Sequence, residues 1–206
     1  MAESIQIVTG SGVVPGFAYA PAAWTRARPV PPTDTRSVAE DERVAEAERF
    51  KAASVAVGAR LADRASHASG VAAEVLAATA NLATDRGWQR ATVKLVNAGS
   101  TAEAAVTAST EQFCEMFTKV GGLMAERVTD LRDVRDRVIA QLMGLPEPGI
   151  PTPIAPVILL ADDLAPADTA GLNPELIKGI ATRLGGPTSH TSIIARQLGK
   201  IGRAHV

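Results

Sequence analysis

The stretch GGPTSHTSIIARQLG, residues 185–199, places a histidine behind two glycines and before an apolar pattern of helical spacing. Thr188 or Ser189 can accept a hydrogen bond from a free backbone N–H, which predicts a helix start at this point. His190 then lies in the first turn, where the positive end of the helix dipole favours the neutral, nucleophilic ring. The same N–H groups favour a phosphate, and the glycines leave room for a bulky reactant. The pattern is typical of a histidine that carries a phosphoryl group.

Other roles for His190 stay open on these residues alone. A histidine at a helix start is often an exposed or capping residue. A metal site is not favoured, because no Cys, His or carboxylate lies at ligand spacing. A serine nucleophile is not favoured either, because the G-x-S-x-G elbow is absent. We expect His67, His205 and the single cysteine, Cys114, to have no chemical role, with Cys114 serving as a small packing residue.

The composition narrows the class of protein. The chain has 206 residues, of which 46% are hydrophobic and 21% are charged, with a net charge of −1. This is the composition of a globular domain, and it gives no broad attraction to nucleic acid or to anionic membranes. No apolar run approaches a membrane span, and no signal peptide is present. The single cysteine suits a reducing compartment, so the predicted location is the cytoplasm.

The elements that must position His190 have α/β character. We predict strands at residues 4–8, 13–20, 157–161 and 176–182, and a short helix that starts within residues 166–169. Alternation of strand, turn and helix predicts an α/β domain built from both ends of the chain. Two separate domains stay possible on this evidence.

The middle of the chain is helical. Residues 37–40 and 100–103 fit capping boxes, and four amphipathic segments follow, the second of them broken near Gly87 and the third ended by Gly121 and Gly122. Proline-rich connectors bound this region. We therefore predict a helical bundle at residues 34–145, inserted into an α/β domain formed by residues 1–33 and 146–206.

Four stretches carry a resemblance to a known family. Residues 185–199 resemble the phosphohistidine signature of the enzyme I family of the bacterial phosphoenolpyruvate:sugar phosphotransferase system. VVPGFAYAPA at residues 13–22, AERVTDLRDVRDRVIAQLMG at 125–144 and VILLADDLAPADTAGLN at 157–173 resemble further parts of it. The resemblance implies a swivelling α/β phosphohistidine domain, here truncated at its C-terminus, with an inserted all-α bundle that docks the phosphocarrier HPr.

The resemblance also assigns roles to residues. It implies that His190 accepts the phosphoryl group through Nε2 and that Thr169 hydrogen-bonds its ring. Thr188 and Ser189 match the hydroxyls at the helix start, and Arg196 matches the arginine of the family's AR pair. The residues that fall on the family's HPr-docking surface are Leu82, Trp88, Met116, Leu123 and Arg127.

The implied function is phosphoryl transfer from phosphoenolpyruvate, through a phosphohistidine, to HPr, the first step of sugar uptake. In the family, phosphoenolpyruvate binds to a Mg²⁺-dependent barrel that also forms the dimer, and that barrel is not in this sequence. We expect this chain by itself to be monomeric, to hold no cofactor or metal, and to bind neither nucleic acid nor membrane.

The sequence departs from the family in several places. Pro187 stands where many members have Arg, and IATRLGG at residues 180–186 replaces a more usual acidic approach to the glycines. The second helix is poor in acids, and the tail at residues 200–206 matches nothing expected. Two rival functions stay open: the swivelling domain of a pyruvate phosphate dikinase or phosphoenolpyruvate synthase, and a non-catalytic docking protein. The bundle and Thr191, where those enzymes typically have Ala, count against the first.

Overall fold

The computed structural model describes residues 10–31, 37–150, 153–162, 164, 168, 172–173, 175–184, 196 and 201–204. The chain divides into two compact units. One unit is Arg26–Gly149, and the other combines Met1–Thr25 with Ile150–Val206. The predicted bundle at residues 34–145 lies inside the first unit. A backbone pair between Arg26 and Gly149 closes this unit, with Arg26 N donating to Gly149 O at 2.9 Å, so the chain enters and leaves the bundle at one point.

The first unit is built from helices. Its elements are α1 (Arg43–Ser66), α2 (Val71–Ala83), α3 (Arg86–Asn97), α4 (Ala102–Val120), the single turn α5 (Leu123–Glu126) and α6 (Val128–Leu142). Apolar residues at helical spacing face inward, and Phe50, Leu61 and Leu76 are fully buried. The amphipathic pattern therefore predicted the helices, including the break between α2 and α3.

The caps explain where two helices begin. Asp85 accepts a hydrogen bond from Trp88 N at 2.7 Å and starts α3, and Thr101 accepts one from Ala104 N at 3.3 Å and starts α4. The predicted capping box at residues 100–103 is wrong in detail, because the Glu103 carboxylate pairs with Arg49 instead. The box at residues 37–40 is also wrong, since α1 starts later, at Arg43, without a side-chain cap.

The second unit contains a five-stranded sheet among the residues described. The strands are β1 (Ser11–Gly12), β2 (Ala22–Trp24), β3 (Val157–Ala161), β4 (Ile177–Thr182) and β5 (Ile201–Ala204), in the order β1-β5-β4-β3-β2. β2, β3, β4 and β5 run parallel, and β1 is antiparallel to β5. Leu159, Ile177 and Ile180 form its buried core. The predicted strands at 157–161 and 176–182 are confirmed.

One prediction about this unit is wrong, and its strand β5 was not predicted. Residues 13–20 form no strand, because Pro15 lacks a backbone donor and Gly16 adopts a φ of 139°, and the side chains of Phe17 and Tyr19 are exposed. The tail that matched nothing in the family supplies β5, which pairs with β4 on one side and β1 on the other. The predicted strand at residues 4–8 lies outside the described residues.

Candidate functional site

The carboxyl ends of three neighbouring parallel strands meet at one edge of the sheet. Trp24 is the last residue of β2, Asp162 directly follows β3, and Arg183 directly follows β4. In open α/β sheets, ligands bind outside this edge. The predicted phosphohistidine motif starts at Gly185, two residues after Arg183, so it follows in sequence the strand end at this edge.

Arg183 connects these strand ends. Its Nε donates to Asp162 Oδ1 at 2.5 Å, and its guanidinium carbon lies 5.9 Å from the centre of the Trp24 ring, within range of a cation–π contact. The hydrogen bond from Arg183 lowers the pKa of Asp162 below its ordinary value. The Arg183 and Asp162 side chains are 66% and 56% exposed, so an arriving anion can reach the guanidinium.

Sequence reasoning missed this ion pair. The sequence does contain a signal for it, because Asp162 and Arg183, which have opposite charges, directly follow the neighbouring strands β3 and β4. The pairing itself depends on the strand order, which the sequence pattern did not supply.

Most of the predicted phosphohistidine site lies outside the described residues. This holds for His190, Thr169, Thr188 and Ser189, whose assignments stay predictions. Of the motif, Arg196 is described, and it is exposed in helical backbone.

Two buried polar residues lie beside the predicted site in the chain. Thr182 ends β4 and is 6% exposed, and Asp168, next to the predicted Thr169, is 5% exposed in helical backbone. Both are buried in the α/β unit, Thr182 three residues before the motif and Asp168 directly before the predicted Thr169.

The predicted docking residues are mostly accessible on the bundle. Met116 is 46% exposed, Leu123 is 78% exposed, Arg127 is exposed and Leu82 is half-buried. An open groove on α4 contains Met116, and the residues that line it are Gln112, Glu115, Met116, Lys119 and Val120. α4 ends where Gly121 and Gly122 take positive φ angles of 75° and 54°, and α5 begins at Leu123. Apolar and charged side chains are thus available on α4 and α5 for a protein partner.

Trp88 is different, and its assignment to the docking surface is wrong. Its side chain is 1% exposed, its Nε1 donates to Thr110 Oγ1 at 3.2 Å, and its ring meets Phe50 edge to face at 5.6 Å. α3 turns this face toward α1 and α4, so Trp88 belongs to the core. The sequence could not separate the two roles, because a large apolar side chain on a helix suits either.

The other residues considered for chemistry have ordinary environments. His67 is 77% exposed, with Nδ1 2.8 Å from Asp63 O. Cys114 is 2% exposed, and burial raises the pKa of its thiol, which agrees with a packing role. Within the described part of the chain, no group of three or more His, Cys, Asp or Glu could hold a metal ion.

None of the described helices is both long and apolar enough to pass through a bilayer.

Two family models match the chain. The model for the N-terminal part of PEP-utilising enzymes matches residues 9–127, and the model for their mobile domain matches residues 153–201. The first match covers more than half of the sequence, so the chain belongs to the family of PEP-utilising enzymes, N-terminal.

Curated relatives point the same way. The phosphoenolpyruvate-protein phosphotransferase of Streptomyces coelicolor is 44% identical over 151 residues, which are 73% of this chain and 27% of that protein. The phosphoenolpyruvate-protein phosphotransferase of Listeria innocua is 42% identical over 103 residues, 50% of this chain and 18% of that protein. A multiphosphoryl transfer protein of Rhodobacter capsulatus is 54% identical over 76 residues, 37% of this chain and 9% of that protein. The chain thus spans about a quarter or less of these relatives.

Solved structures agree with the fold. An NMR solution structure of Enzyme I (nEIt) superimposes with a TM-score of 0.83 at 27% identity, covering 96% of this chain and 82% of that one. The N-terminal domain of Enzyme 1 - Nitrogen, with a TM-score of 0.63 at 24% identity and coverage of 95% and 82%, shares the fold. The predicted fold class, an α/β phosphohistidine domain with a helical insert, is confirmed by these matches.

Proposed function

We propose that this chain is the phosphohistidine-bearing and HPr-docking part of an enzyme I of the phosphotransferase system. The observation that carries the proposal is the phosphohistidine signature at residues 185–199, which follows β4 at the carboxyl edge of the sheet in a chain that superimposes on Enzyme I. The relatives named phosphoenolpyruvate-protein phosphotransferase support the same reaction.

His190 acts in two steps of the reaction, first as the acceptor and then as the donor of the phosphoryl group. Its neutral Nε2 donates an electron pair to phosphorus and forms the N–P bond, while the P–O bond of phosphoenolpyruvate breaks and the enolate of pyruvate leaves. In the onward step the N–P bond breaks, its electron pair returns to the ring, and the nucleophile of HPr forms the new bond to phosphorus. Free N–H groups at a helix start stabilise the phosphoryl oxygens, and Thr169 fixes the ring orientation. Arg183, held at the same strand edge by Asp162, adds positive charge for the incoming anion.

HPr docking is assigned to the bundle. The α4 groove around Met116, together with Leu123 and Arg127, offers exposed apolar side chains beside charged ones, the mixture that transient protein interfaces use. Leu82 on α2 contributes from a half-buried position. Because α2 carries one acid, Glu74, the contact is expected to be more apolar than electrostatic.

Phosphoenolpyruvate and Mg²⁺ act, in this proposal, at a further domain of the whole enzyme, which also forms its dimer. No step on this chain is assigned to Mg²⁺. The proposed setting is the cytoplasmic first step of sugar uptake. A dikinase-like function is less favoured, because the bundle superimposes on Enzyme I together with the sheet.

The test compares two phosphoryl donors on the 206-residue chain. Phosphorylated HPr should label the chain with an acid-labile, base-stable phosphate, whereas phosphoenolpyruvate with Mg²⁺ should not. Adding unlabelled HPr should then remove the label, because the transfer is reversible. Failure of phosphorylated HPr to label a folded chain would overturn the proposal, and labelling by phosphoenolpyruvate alone would overturn the division of labour.

A further inference from the structure

A groove between α1 and α3 is lined by cations from both helices. Its lining residues are Lys51 on α1 and Arg86, Gln89, Arg90, Val93, Lys94 and Asn97 on α3 and its end. Gln89 Nε2 donates to Ser54 Oγ at 2.8 Å and joins the two helices at the groove floor. The long cationic side chains are exposed above this floor.

The cations of α3 are arranged in a line. Arg86, Arg90 and Lys94 follow each other at four-residue spacing, so they share one face over about 12 Å, at roughly 1.5 Å per residue. Residues 86–102 contain no Asp or Glu. Like charges at this spacing repel, and Arg86 at the first position of α3 also faces the positive end of the helix dipole. Lys94, in the last turn, interacts favourably with the dipole, whereas the repulsion between neighbouring cations and the position of Arg86 both oppose the stability of α3.

Many arginines elsewhere in the helical unit are neutralised, although, among the described residues, Arg43 hydrogen-bonds only backbone carbonyls and Arg127 has no carboxylate partner. Those that pair with carboxylates are Arg28, Arg49, Arg60, Arg64, Arg132, Arg135 and Arg137. No carboxylate of the described residues forms an ion pair with Arg86, Arg90 or Lys94. Lys51 has one partner, Glu48 at 2.7 Å, and both of these side chains are largely exposed. The groove thus keeps a row of charges available for an external anion.

This groove is separate from the proposed HPr surface. Trp88 and Thr92 hold the other side of α3 against α4, through Thr110 at 3.2 Å and Ser109 at 2.7 Å. The cationic row lies on the α1 side, whereas the residues around Met116 line a groove of α4.

We propose that the α1–α3 groove binds an acidic helical segment of a partner protein. The groove runs along α3, with Lys51 of α1 at its side, so a further helix can lie along α3 with carboxylates at four-residue spacing opposite Arg86, Arg90 and Lys94. Val93 gives an apolar contact at the groove floor. A nucleic acid fits less well, because no aromatic side chain lines the groove for base stacking.

The probe is a fluorescein-labelled, alanine-rich helical peptide with Glu at four-residue spacing along one face. A second peptide has the same composition but distributes its Glu residues around the helix, and a single-stranded oligonucleotide of equal charge is the third probe. Fluorescence anisotropy at low salt measures the Kd for each. We expect the chain to bind the aligned peptide at least about threefold more tightly than the other two, since exposed ion pairs contribute little individually.

The variant Arg86→Gln/Arg90→Gln/Lys94→Gln tests the residues. It should weaken binding of the aligned peptide by at least about fivefold, while Arg26→Gln/Arg132→Gln/Lys178→Gln, which removes three exposed cations elsewhere, should change it by less than about twofold. Amide shifts on titration report whether α1 and α3 form the contact, and circular dichroism reports folding. Transfer from phosphorylated HPr should be unchanged in the groove variant, so this proposal and the proposed function fail independently.

Four results would overturn the proposal. Equal affinity for the aligned and redistributed peptides would show that binding does not depend on the four-residue spacing of Arg86, Arg90 and Lys94. Tighter binding of the oligonucleotide would assign the groove to nucleic acid. Equal weakening by the two triple variants, or shifts confined to other helices, would show that the α1–α3 groove is not the binding site.

Discussion

Arg183 and Asp162 form an ion pair across the carboxyl ends of β4 and β3, with 2.5 Å between Nε and Oδ1. Arg183 lies two residues before the glycines of the phosphohistidine signature, so its guanidinium lies at the edge of the sheet where β4 ends and close in sequence to the motif. Arg183 therefore supplies positive charge at the end of β4.

Replacing Arg183 with alanine should slow phosphoryl transfer to His190 from phosphorylated HPr. We expect a reduction of about two- to fivefold, because one exposed charge contributes modestly to the attraction of an anion. The melting temperature should change little, since both partners of the ion pair are exposed. Lys178→Ala, which removes another exposed cation from β4, is the matched control. Equal rates for Arg183→Ala and wild type would show that this charge has no part in the transfer.

Trp88→Ala should destabilise the bundle by about 3–5 kcal/mol, because it leaves a cavity and removes a buried ring. Urea unfolding followed by circular dichroism measures this loss. Trp24→Ala, at a side chain that is 55% exposed, should cost much less. Under conditions where the Trp88 variant stays folded, its affinity for HPr should be close to wild type. Weaker HPr binding without loss of stability would show that Trp88 is part of the docking surface.

Met116→Ala and Leu123→Ala should weaken HPr binding without loss of stability, which is the opposite of the effect expected for Trp88→Ala. Each removes an exposed apolar side chain from the proposed docking surface, so the Kd for HPr should rise by about fivefold or more if these residues carry binding energy. Stability should be nearly unchanged. Val44→Ala, at a 70% exposed apolar residue on α1, is the control and should leave the Kd unaltered. Isothermal titration calorimetry measures the Kd for HPr of each protein. Identical affinities for wild type and the three variants would show that HPr docks on another surface.

Glu147 gives the bundle a pH dependence. Burial opposes its ionisation, but Arg137 and Arg60 outweigh this through charge and hydrogen bonds, so the pKa of Glu147 lies below its ordinary value of 4.5. A lowered pKa contributes stability above the ordinary value, and this contribution is lost as the pH falls through the folded-state pKa. Glu147→Gln should therefore lower the free energy of unfolding by about 1–3 kcal/mol near pH 7 and by less in acid.

Urea unfolding at several pH values between 7 and 3 checks this dependence. Glu48→Gln, which breaks the exposed ion pair with Lys51, is the control and should have a small effect at every pH. A loss of stability in Glu147→Gln that is the same at pH 7 and in acid would contradict the assigned role of the carboxylate.

The helices and two strands were predictable because their signals are local. Apolar residues at helical spacing fixed the main helices, and Gly121 and Gly122 ended α4 where two positive φ angles are needed. The apolar run Val157–Ala161 has the length of a typical strand, and it forms β3. Such features need only the periodicity of the chain and its turn residues.

The rest depends on tertiary contacts. The β-branched and aromatic residues within 13–20 predicted a strand there, but Pro15 and Gly16 prevent regular pairing of the backbone. Burial of Trp88 follows from the packing of α3 against α1 and α4, and the contact between Arg183 and Asp162 follows from the strand order. No local pattern encodes these neighbours, so the sequence could not separate the buried Trp88 from exposed residues of the bundle.

The most direct test of the account is the position of the phosphoryl group on the chain. After labelling by phosphorylated HPr, peptide mapping by mass spectrometry at neutral to basic pH should find the modification on His190. His190→Ala should accept no phosphate and keep the helical content of wild type, while His67→Ala should be labelled normally. Modification of His67 or His205, or unchanged labelling of a folded His190→Ala chain, would contradict the assignment of His190 as the phosphoryl carrier.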